Sequence, residues 1–156
     1  MQPPELLPIQ SDEVFRFACN RQVSCFNDCC RDLNQVLTPY DVLQLKNYLN
    51  ISSKTFIETY CLIYTGSTTG LPVASLRFDS DGNKLCPFVT PEGCRVYPAR
   101  PSSCRLYPIA RALRRRRTDG RCSQHFAVIR EAHCKGFEER RTRSVHQWIE
   151  DQQLEP

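Results

Sequence analysis

The chain has 156 residues, of which 40% are hydrophobic, and a formal net charge of +4. This length predicts one domain with its own hydrophobic core, so disulfide bonds are not needed to compensate for a small core. No segment approaches the run of about eighteen apolar residues that spans a bilayer, which argues against a membrane protein. The unusual part of the composition is its ten cysteines.

The N-terminal segment bears on the compartment. Residues 1–13 contain three prolines and little periodicity, so we expect a loose lead-in followed by a single domain over residues 14–156. The segment MQPPELLPIQ lacks the basic start and apolar run of a secretory signal, which predicts a cytoplasmic protein. In a reducing compartment, clustered cysteines bind metal or perform redox chemistry more often than they form structural disulfides.

Four cysteines lie within twelve residues, in CNRQVSCFNDCC: Cys19, Cys25, Cys29 and Cys30. We expect the side chains of the adjacent pair to point apart. Two such thiolates would more easily serve two metal ions, or two corners of one cluster, than a single tetrahedral ion. The alternative for the pair is two unligated thiols or a vicinal disulfide. The cluster predicts a metal-binding protein, with one metal centre or more.

The next segment has the pattern of two helices. Thr38 is a suitable N-cap, Pro39 suits the first helical position, and apolar residues then recur at helical spacing. A second helix is predicted to start near Ser52 and to end before Gly66, giving a helix–turn–helix over residues 38–64. Cys61 would lie inside this second helix, on its apolar face, as a core residue.

From residue 71 the pattern becomes that of a strand. LPVASLRF is nearly alternating and DSDGNK has turn chemistry, which predicts a hairpin centred near Asp81 and Gly82 with KLCPFV as the partner strand. The segment around residues 126–129 fits a helix, and a strand nearly as well.

The C-terminal segment completes the predicted fold. Ser144 and Gln147 form a capping box for a last helix, in which Val145, Trp148 and Ile149 provide an apolar face. Together these elements predict an α+β fold: a mainly helical small single domain with a short β-hairpin and long cysteine-bearing loops around a metal centre.

The other cysteines lie mostly in loops. Cys86, Cys94 and Cys104 are separated by eight and ten residues on turns rich in proline and glycine, and Cys134 lies in HCKG. Irregular loops let thiolates converge from several directions and offer backbone N–H groups to the sulfurs. Buried, unligated thiols are the alternative for these four. Cys122 is equally compatible with a spare ligand and with a surface thiol.

The cysteine blocks resemble the bacterial CxxCxxCC cysteine-cluster proteins, a family of zinc- or iron-chelating domains. The matching pieces span residues 19–152 and are FACNRQVSCFNDCC, LTPYDVLQLKNYL, LCPFVTPEGCRVYPARPSSCRLYP, HCKGF and SVHQWIEDQ. The specific feature is the combination of the vicinal cysteines with the R-P-x-x-C-R block. The resemblance implies eight metal ligands, which are Cys19, Cys25, Cys29, Cys30, Cys86, Cys94, Cys104 and Cys134.

Eight thiolates are enough for two four-cysteine sites or one larger cluster. Four-cysteine coordination fits zinc and iron, including an iron–sulfur cluster, with a slight preference for iron. The first functional hypothesis is a metal-binding protein whose metal is part of the folded core. The alternative is an iron–sulfur electron-transfer or redox protein, and the third is an enzyme with an open metal position. The expected partners are the metal ion and an unidentified protein of redox metabolism or metal handling.

Other motifs add little. The chain has no G-x-G-x-x-G or G-x-x-x-x-G-K loop and no recognisable catalytic motif. The run ALRRRRTDGR is predicted to be a solvated hairpin tip or loop, and the scarcity of aromatic residues beside it argues against nucleic-acid binding. The histidines match no zinc-binding spacing, so we expect His125, His133 and His146 to be solvated or hydrogen-bonded.

Overall fold

Strands and helices contribute almost equally to the protein. A computed structural model describes residues 4–79, 82 and 84–154, and assigns 26% helix and 30% strand in four sheets. Its strands are β1 (Glu5–Ile9), β2 (Val14–Arg16), β3 (Val36–Leu37), β4 (Cys61–Thr65), β5 (Pro72–Leu76), β6 (Val89–Thr90), β7 (Gly93–Cys94), β8 (Ile109–Arg115), β9 (Cys122–Arg130) and β10 (Thr142–Ser144). Its helices are α1 (Pro39–Tyr48), α2 (Ser53–Tyr60), α3 (Ser102–Leu106) and α4 (Val145–Asp151). The prediction of a mainly helical fold was therefore wrong, and the protein is mixed α+β.

Two strands account for much of the difference between the predicted and the observed helical content. The second predicted helix ends at Tyr60, and the following CLIYT segment forms β4 instead. Its β-branched and aromatic residues favour an extended chain, and β4 pairs antiparallel with β5 from Cys61↔Leu76 to Thr65↔Pro72. The segment at residues 126–129 belongs to β9, so the strand forms there and the helix does not.

The predicted hairpin partner was also wrong. β5 pairs with β3 and β4, and the segment predicted to pair with it does not do so. Leu85 instead forms a bridge with Arg31, and Asp79 N donates to Leu85 O at 3.1 Å. Of the predicted turn centre, Asp81 lies outside the described residues and Gly82 has a φ of +87°. The segment after the turn thus contacts the first cysteine cluster.

The local helix signals were confirmed. α1 starts with a capping box between Thr38 and Asp41 and has Pro39 at its first position. α4 starts with the capping box between Ser144 and Gln147. None of the helices in the described part of the chain has the length and apolarity of a membrane span.

The chain forms two compact units. The terminal unit comprises the residues up to Cys25 and those from Ser103 onward, and the central unit is Phe26–Ser102. The terminal unit contains the sheets β1-β9-β8 and β10-β2, with β1 lying inside the segment predicted as a loose lead-in. Its core consists of Phe15, Phe17, Ile109, Val128, Val145, Trp148 and Ile149.

The central unit contains the sheets β3-β5-β4 and β6-β7 together with α1 and α2. Its core is separate and consists of Leu37, Leu45, Phe56, Cys61, Leu76, Phe88 and Val96. Each unit therefore has an apolar core of its own against which cysteine-bearing segments pack.

A buried carboxylate fastens the end of the central unit to α1. Asp41 is only 4% exposed. One of its oxygens accepts hydrogen bonds from Thr38 N and Oγ1 at 2.8 and 2.7 Å. The other accepts from Ser102 N and Oγ at 2.8 and 2.6 Å. Four donors to one carboxylate satisfy its charge and fix the chain immediately before Cys104.

We expect the Asp41→Asn variant to lower the free energy of unfolding by on the order of 2–4 kcal/mol, because an amide nitrogen would face buried donors that now bond to an anion. Urea denaturation followed by circular dichroism measures this loss. Glu58→Gln is the control, since Glu58 is exposed in a surface pair with Lys54, and its effect should stay below about 0.5 kcal/mol. A similar loss in both variants would contradict the assigned role of Asp41.

Candidate metal-binding cysteines

The eight candidate ligands divide equally between the two units. All ten cysteines lie among the described residues, and none of them forms a disulfide bond. The terminal unit contains Cys19, Cys25, Cys104 and Cys134, whereas the central unit contains Cys29, Cys30, Cys86 and Cys94. Each unit therefore has four of the eight candidate thiols, besides Cys122 in the terminal unit and Cys61 in the central unit.

In the central unit the adjacent cysteines lie on a tight turn. Asn27 has a left-handed backbone (φ 72°, ψ −5°), and its side-chain amide donates to Thr90 O at 2.9 Å, which anchors the 3-10 turn Asp28–Cys30. The Cys29 and Cys30 sulfurs lie 4.0 Å apart. The expectation that these side chains point apart was therefore wrong. With a Zn–S bond of 2.3 Å, two sulfurs of a tetrahedral site lie about 3.8 Å apart, so this pair fits one ion.

The other two central cysteines lie beside this pair. Cys86 N donates to Cys30 O at 2.8 Å, and the β6–β7 hairpin places Cys94 opposite Val89. Burial is the main cause of the raised pKa of the Cys86 thiol, and the neighbouring Cys94 and Cys29 raise it further. The Cys94 and Cys29 thiols thus lie close enough to Cys86 to affect its ionisation.

Backbone N–H groups lie near both of these sulfurs. Those of Phe88 and Val89 act to lower the pKa of the Cys86 thiol, and that of Val96 acts to lower the pKa of the Cys94 thiol. Burial raises the pKa of Cys94, while its N–H donor and the nearby charge of Arg100 act in the opposite direction. N–H donors stabilise thiolates in metal sites and tune the bound metal. This arrangement suits a ligand better than a thiol that only fills core space.

In the terminal unit, Cys25 and Cys134 are held in adjacent turns. Lys135 N donates to the Cys25 sulfur at 3.1 Å, so that sulfur lies next to the residue following Cys134. Cys134 N donates to Glu131 O at 3.0 Å, which closes the turn that carries it. Cys134 also packs against the terminal core.

Cys19 reaches the same turn through a close backbone approach. Ala18 N donates to Gly136 O at 3.0 Å. A Cβ on Gly136 would lie 2.5 Å from a ring carbon of Phe17 and 2.8 Å from Ala18 O, so glycine alone fits there. The segment just before Cys19 therefore lies against the segment just after Cys134.

Tyr107 lies beside Cys134, at the end of the helix that carries Cys104. Cys104 is exposed on α3, and Tyr107 directly follows the last residue of that helix. The Tyr107 hydroxyl is buried and forms no hydrogen bond of ordinary geometry with any described residue. Burial strongly raises its pKa, and the neighbouring Cys134 and Glu131 add to that rise. A metal-bound Cys134 thiolate is an acceptor that would satisfy this hydroxyl.

The thiols do not form a closed ligand shell. Within residues 4–79, 82 and 84–154, no three His, Cys, Asp or Glu side chains are grouped closely enough to hold a metal ion. The predicted arrangement of loops around a finished metal centre is therefore corrected: Cys19 and Cys104 remain exposed. The thiol donors, the N–H groups and the orphaned Tyr107 hydroxyl nevertheless fit a thiolate-bound metal.

Comparison with known proteins agrees with this chemistry. The family model of the CxxCxxCC proteins, described as a "putative zinc- or iron-chelating domain", matches residues 18–152. The chain belongs to this family. The resemblance inferred from the cysteine blocks is thereby confirmed, and the family description supports chelation of zinc or iron. No curated protein and no solved structure matches the chain.

The histidines of this CxxCxxCC protein behave as predicted. His125 is hydrogen-bonded to Ser123 at 3.1 Å. His133 lies 3.8 Å from Glu131, and His146 lies 3.6 Å from Glu150. Each has a local polar partner.

The two remaining cysteines differ from each other. Cys61 is 2% exposed at the start of β4, so its predicted core role is confirmed although its predicted helical position was wrong. Cys122 is exposed at the start of β9.

Sequence reasoning missed Tyr107 and Gly136 in this CxxCxxCC protein. Their only signal was their position inside the RLYP and HCKG blocks that match the family.

Proposed function

We propose that this CxxCxxCC-family protein holds two metal ions, zinc or iron, with one four-cysteine site in each unit. The observation that supports the proposal is the division of the eight candidate cysteines into four and four. The terminal ligands are Cys19, Cys25, Cys104 and Cys134, and the central ligands are Cys29, Cys30, Cys86 and Cys94.

The adjacent pair of the central site suits a single ion, on which the other two central thiols would still have to converge. Two sulfurs 4.0 Å apart match one edge of a tetrahedral four-sulfur site. In a four-iron cluster each cysteine binds a different iron, which requires its sulfurs to be farther apart. The N–H groups near the Cys86 and Cys94 sulfurs lower the cost of holding thiolates in a buried place.

The terminal site would be completed by the metal itself. Cys25 and Cys134 are held by the turn at Lys135, whereas Cys19 and Cys104 are exposed and have to move inward. Metal binding would therefore be coupled to the folding of these segments. Such a site requires reduced thiols, so we place the protein in a reducing cytoplasm.

A second candidate function is electron transfer by an iron–sulfur cluster in the terminal unit. The exposure of Cys19 and Cys104 favours it, because a cluster near the surface exchanges electrons with a protein partner most readily. Inorganic sulfide separates the two functions, since a single zinc or iron ion bound by cysteines contains none.

The decisive experiment compares one ligand variant from each unit. Anaerobically purified protein is expected to contain about two metal ions per chain, as eight thiolates allow. Cys94→Ser and Cys134→Ser should each retain about one ion, and the double variant should retain none. Elemental analysis with sulfide determination measures all of these, and Cys122→Ser is the control with unchanged content.

Each outcome separates the alternatives. If either single substitution removed all metal, the eight cysteines would form one shared cluster and the two-site proposal would fail. Metal-free, folded wild-type protein would contradict metal binding altogether.

A further inference from the structure

The β8–β9 hairpin extends away from the core as an arginine-rich ribbon. We use the term arginine ribbon for residues 112–125, which comprise the distal parts of both strands and their turn. Ala112 pairs with His125 and Arg115 with Cys122, and every residue of the ribbon is exposed. A two-stranded hairpin that is exposed to solvent on both faces gains little stability from burial, which leaves its side chains available for binding.

The net charge of the ribbon equals that of the whole protein. The ribbon contains five arginines and one aspartate, which give a net charge of +4. Asp119 pairs with Arg116 at 3.1 Å and with Arg121 at 3.6 Å. Within the described chain, no ion pair forms at the other three arginines, which are Arg114, Arg115 and Arg117.

The arginines also surround a concave surface. An open depression of about 630 Å³ is lined by all five arginines of the ribbon and by His125. Guanidinium groups bind phosphate oxygens bidentately, and their five N–H donors keep this geometry at every pH of interest. A concave group of guanidiniums is therefore suited to a row of phosphates.

We propose that the arginine ribbon binds the phosphate backbone of duplex DNA. A two-stranded β-ribbon has the width to enter the major groove of a B-form duplex. Residues 112–125 contain no Phe, Tyr or Trp. Their absence, which argued against nucleic acid at the level of sequence, argues against the aromatic stacking platforms that bind single strands but not against contact with duplex phosphates.

Two other anionic partners fit less well. Leu113, 68% exposed, is the one large apolar side chain of the ribbon, which is too little to insert into a lipid surface. An acidic protein partner would need buried apolar or aromatic anchors at the centre of the interface, and the ribbon offers none besides this leucine. Duplex phosphates require neither feature.

The test measures binding of the full, metal-loaded chain to a short fluorescent DNA duplex over a range of salt concentrations. The triple variant Arg114→Gln/Arg115→Gln/Arg117→Gln should raise the Kd by about tenfold or more, and should reduce the slope of log affinity against log salt by about 3, one unit per lost phosphate contact. The matched control is Lys54→Gln/Arg140→Gln/Arg141→Gln, which removes the same charge from exposed positions outside the ribbon and should retain both values.

The same binding measurement is repeated with four other ligands: a duplex RNA, a single strand of the same sequence, phosphatidylserine vesicles and polyglutamate. Preferred binding of the DNA duplex supports the proposal, whereas preferred binding of the RNA duplex would overturn it, because the major groove of an A-form duplex is too narrow for the ribbon. Tighter binding of the single strand, the vesicles or polyglutamate would overturn it, as would unchanged binding in the ribbon variant. Circular dichroism and metal content of the variant verify that it folds, and this inference does not depend on the proposed metal sites.

Discussion

Removing the metal with a strong chelator under reducing conditions should lower the melting temperature by about 15 °C or more. A site saturated at about 1,000 times its Kd adds about 4 kcal/mol to stability. In a domain of 60–100 residues, each kcal/mol shifts the midpoint by about 4–8 °C. The effect is large because Cys86 and Cys94 pack against the central core and Cys134 packs against the terminal core.

Melting followed by circular dichroism measures the shift, and adding back zinc or ferrous iron provides the control by restoring the midpoint. Burial raises the pKa of the Cys86 and Cys94 thiols, so metal binding must displace their protons. The metal-dependent part of the stability should therefore weaken as pH falls. Equal midpoints with and without metal would mean that the ion is not part of the folded core.

Helices with local signals could be predicted from the sequence. The caps of α1 and α4 are formed by residues three positions apart, Thr38 with Asp41 and Ser144 with Gln147. Such pairs are visible in any short window of the chain. The second role of Asp41, as acceptor for Ser102, could not be predicted because those residues are 61 positions apart.

The strands were harder because their pairing is not local. CLIYT continues the apolar pattern of α2, and only its ladder with β5 makes it a strand. Likewise the DSDGNK turn indicates a hairpin, whereas the chain beyond it bridges to Arg31 near the first cysteine cluster. Turn chemistry predicts where the chain reverses, but not which strand it will join.

For the candidate site, the ligand candidates could be proposed from the sequence, but their grouping could not. The cysteine blocks favour thiolate ligands because, wherever thiols stay reduced, clustered cysteines bind metal more often than they form structural disulfides. Cys25 and Cys29 are four positions apart but lie in different units, whereas Cys25 and Cys134 lie in the same one. Only the fold shows that division, together with the close approach of Gly136 to Ala18.

Gly136→Ala should destabilise the terminal unit by on the order of 3 kcal/mol and remove one of the two proposed metal ions. The new Cβ would lie 2.5 Å from the Phe17 ring and 2.8 Å from Ala18 O. Phe17 cannot easily move aside, since it is 3% exposed and its ring packs against Tyr107, Phe137 and Trp148. The backbone must separate instead, which moves Cys19 away from the Cys134 turn.

Gly70→Ala is the matched control, because Gly70 has a φ of +67° and nothing within 4 Å of an added Cβ. Its backbone strain should cost about 1 kcal/mol and leave metal content unchanged. Urea denaturation and elemental analysis of both variants separate general strain from loss of the site. If Gly136→Ala retained two ions per chain, Cys19 would not depend on this contact. Its place among the terminal ligands would then lose its structural support, because the Ala18–Gly136 approach is what brings it to Cys134.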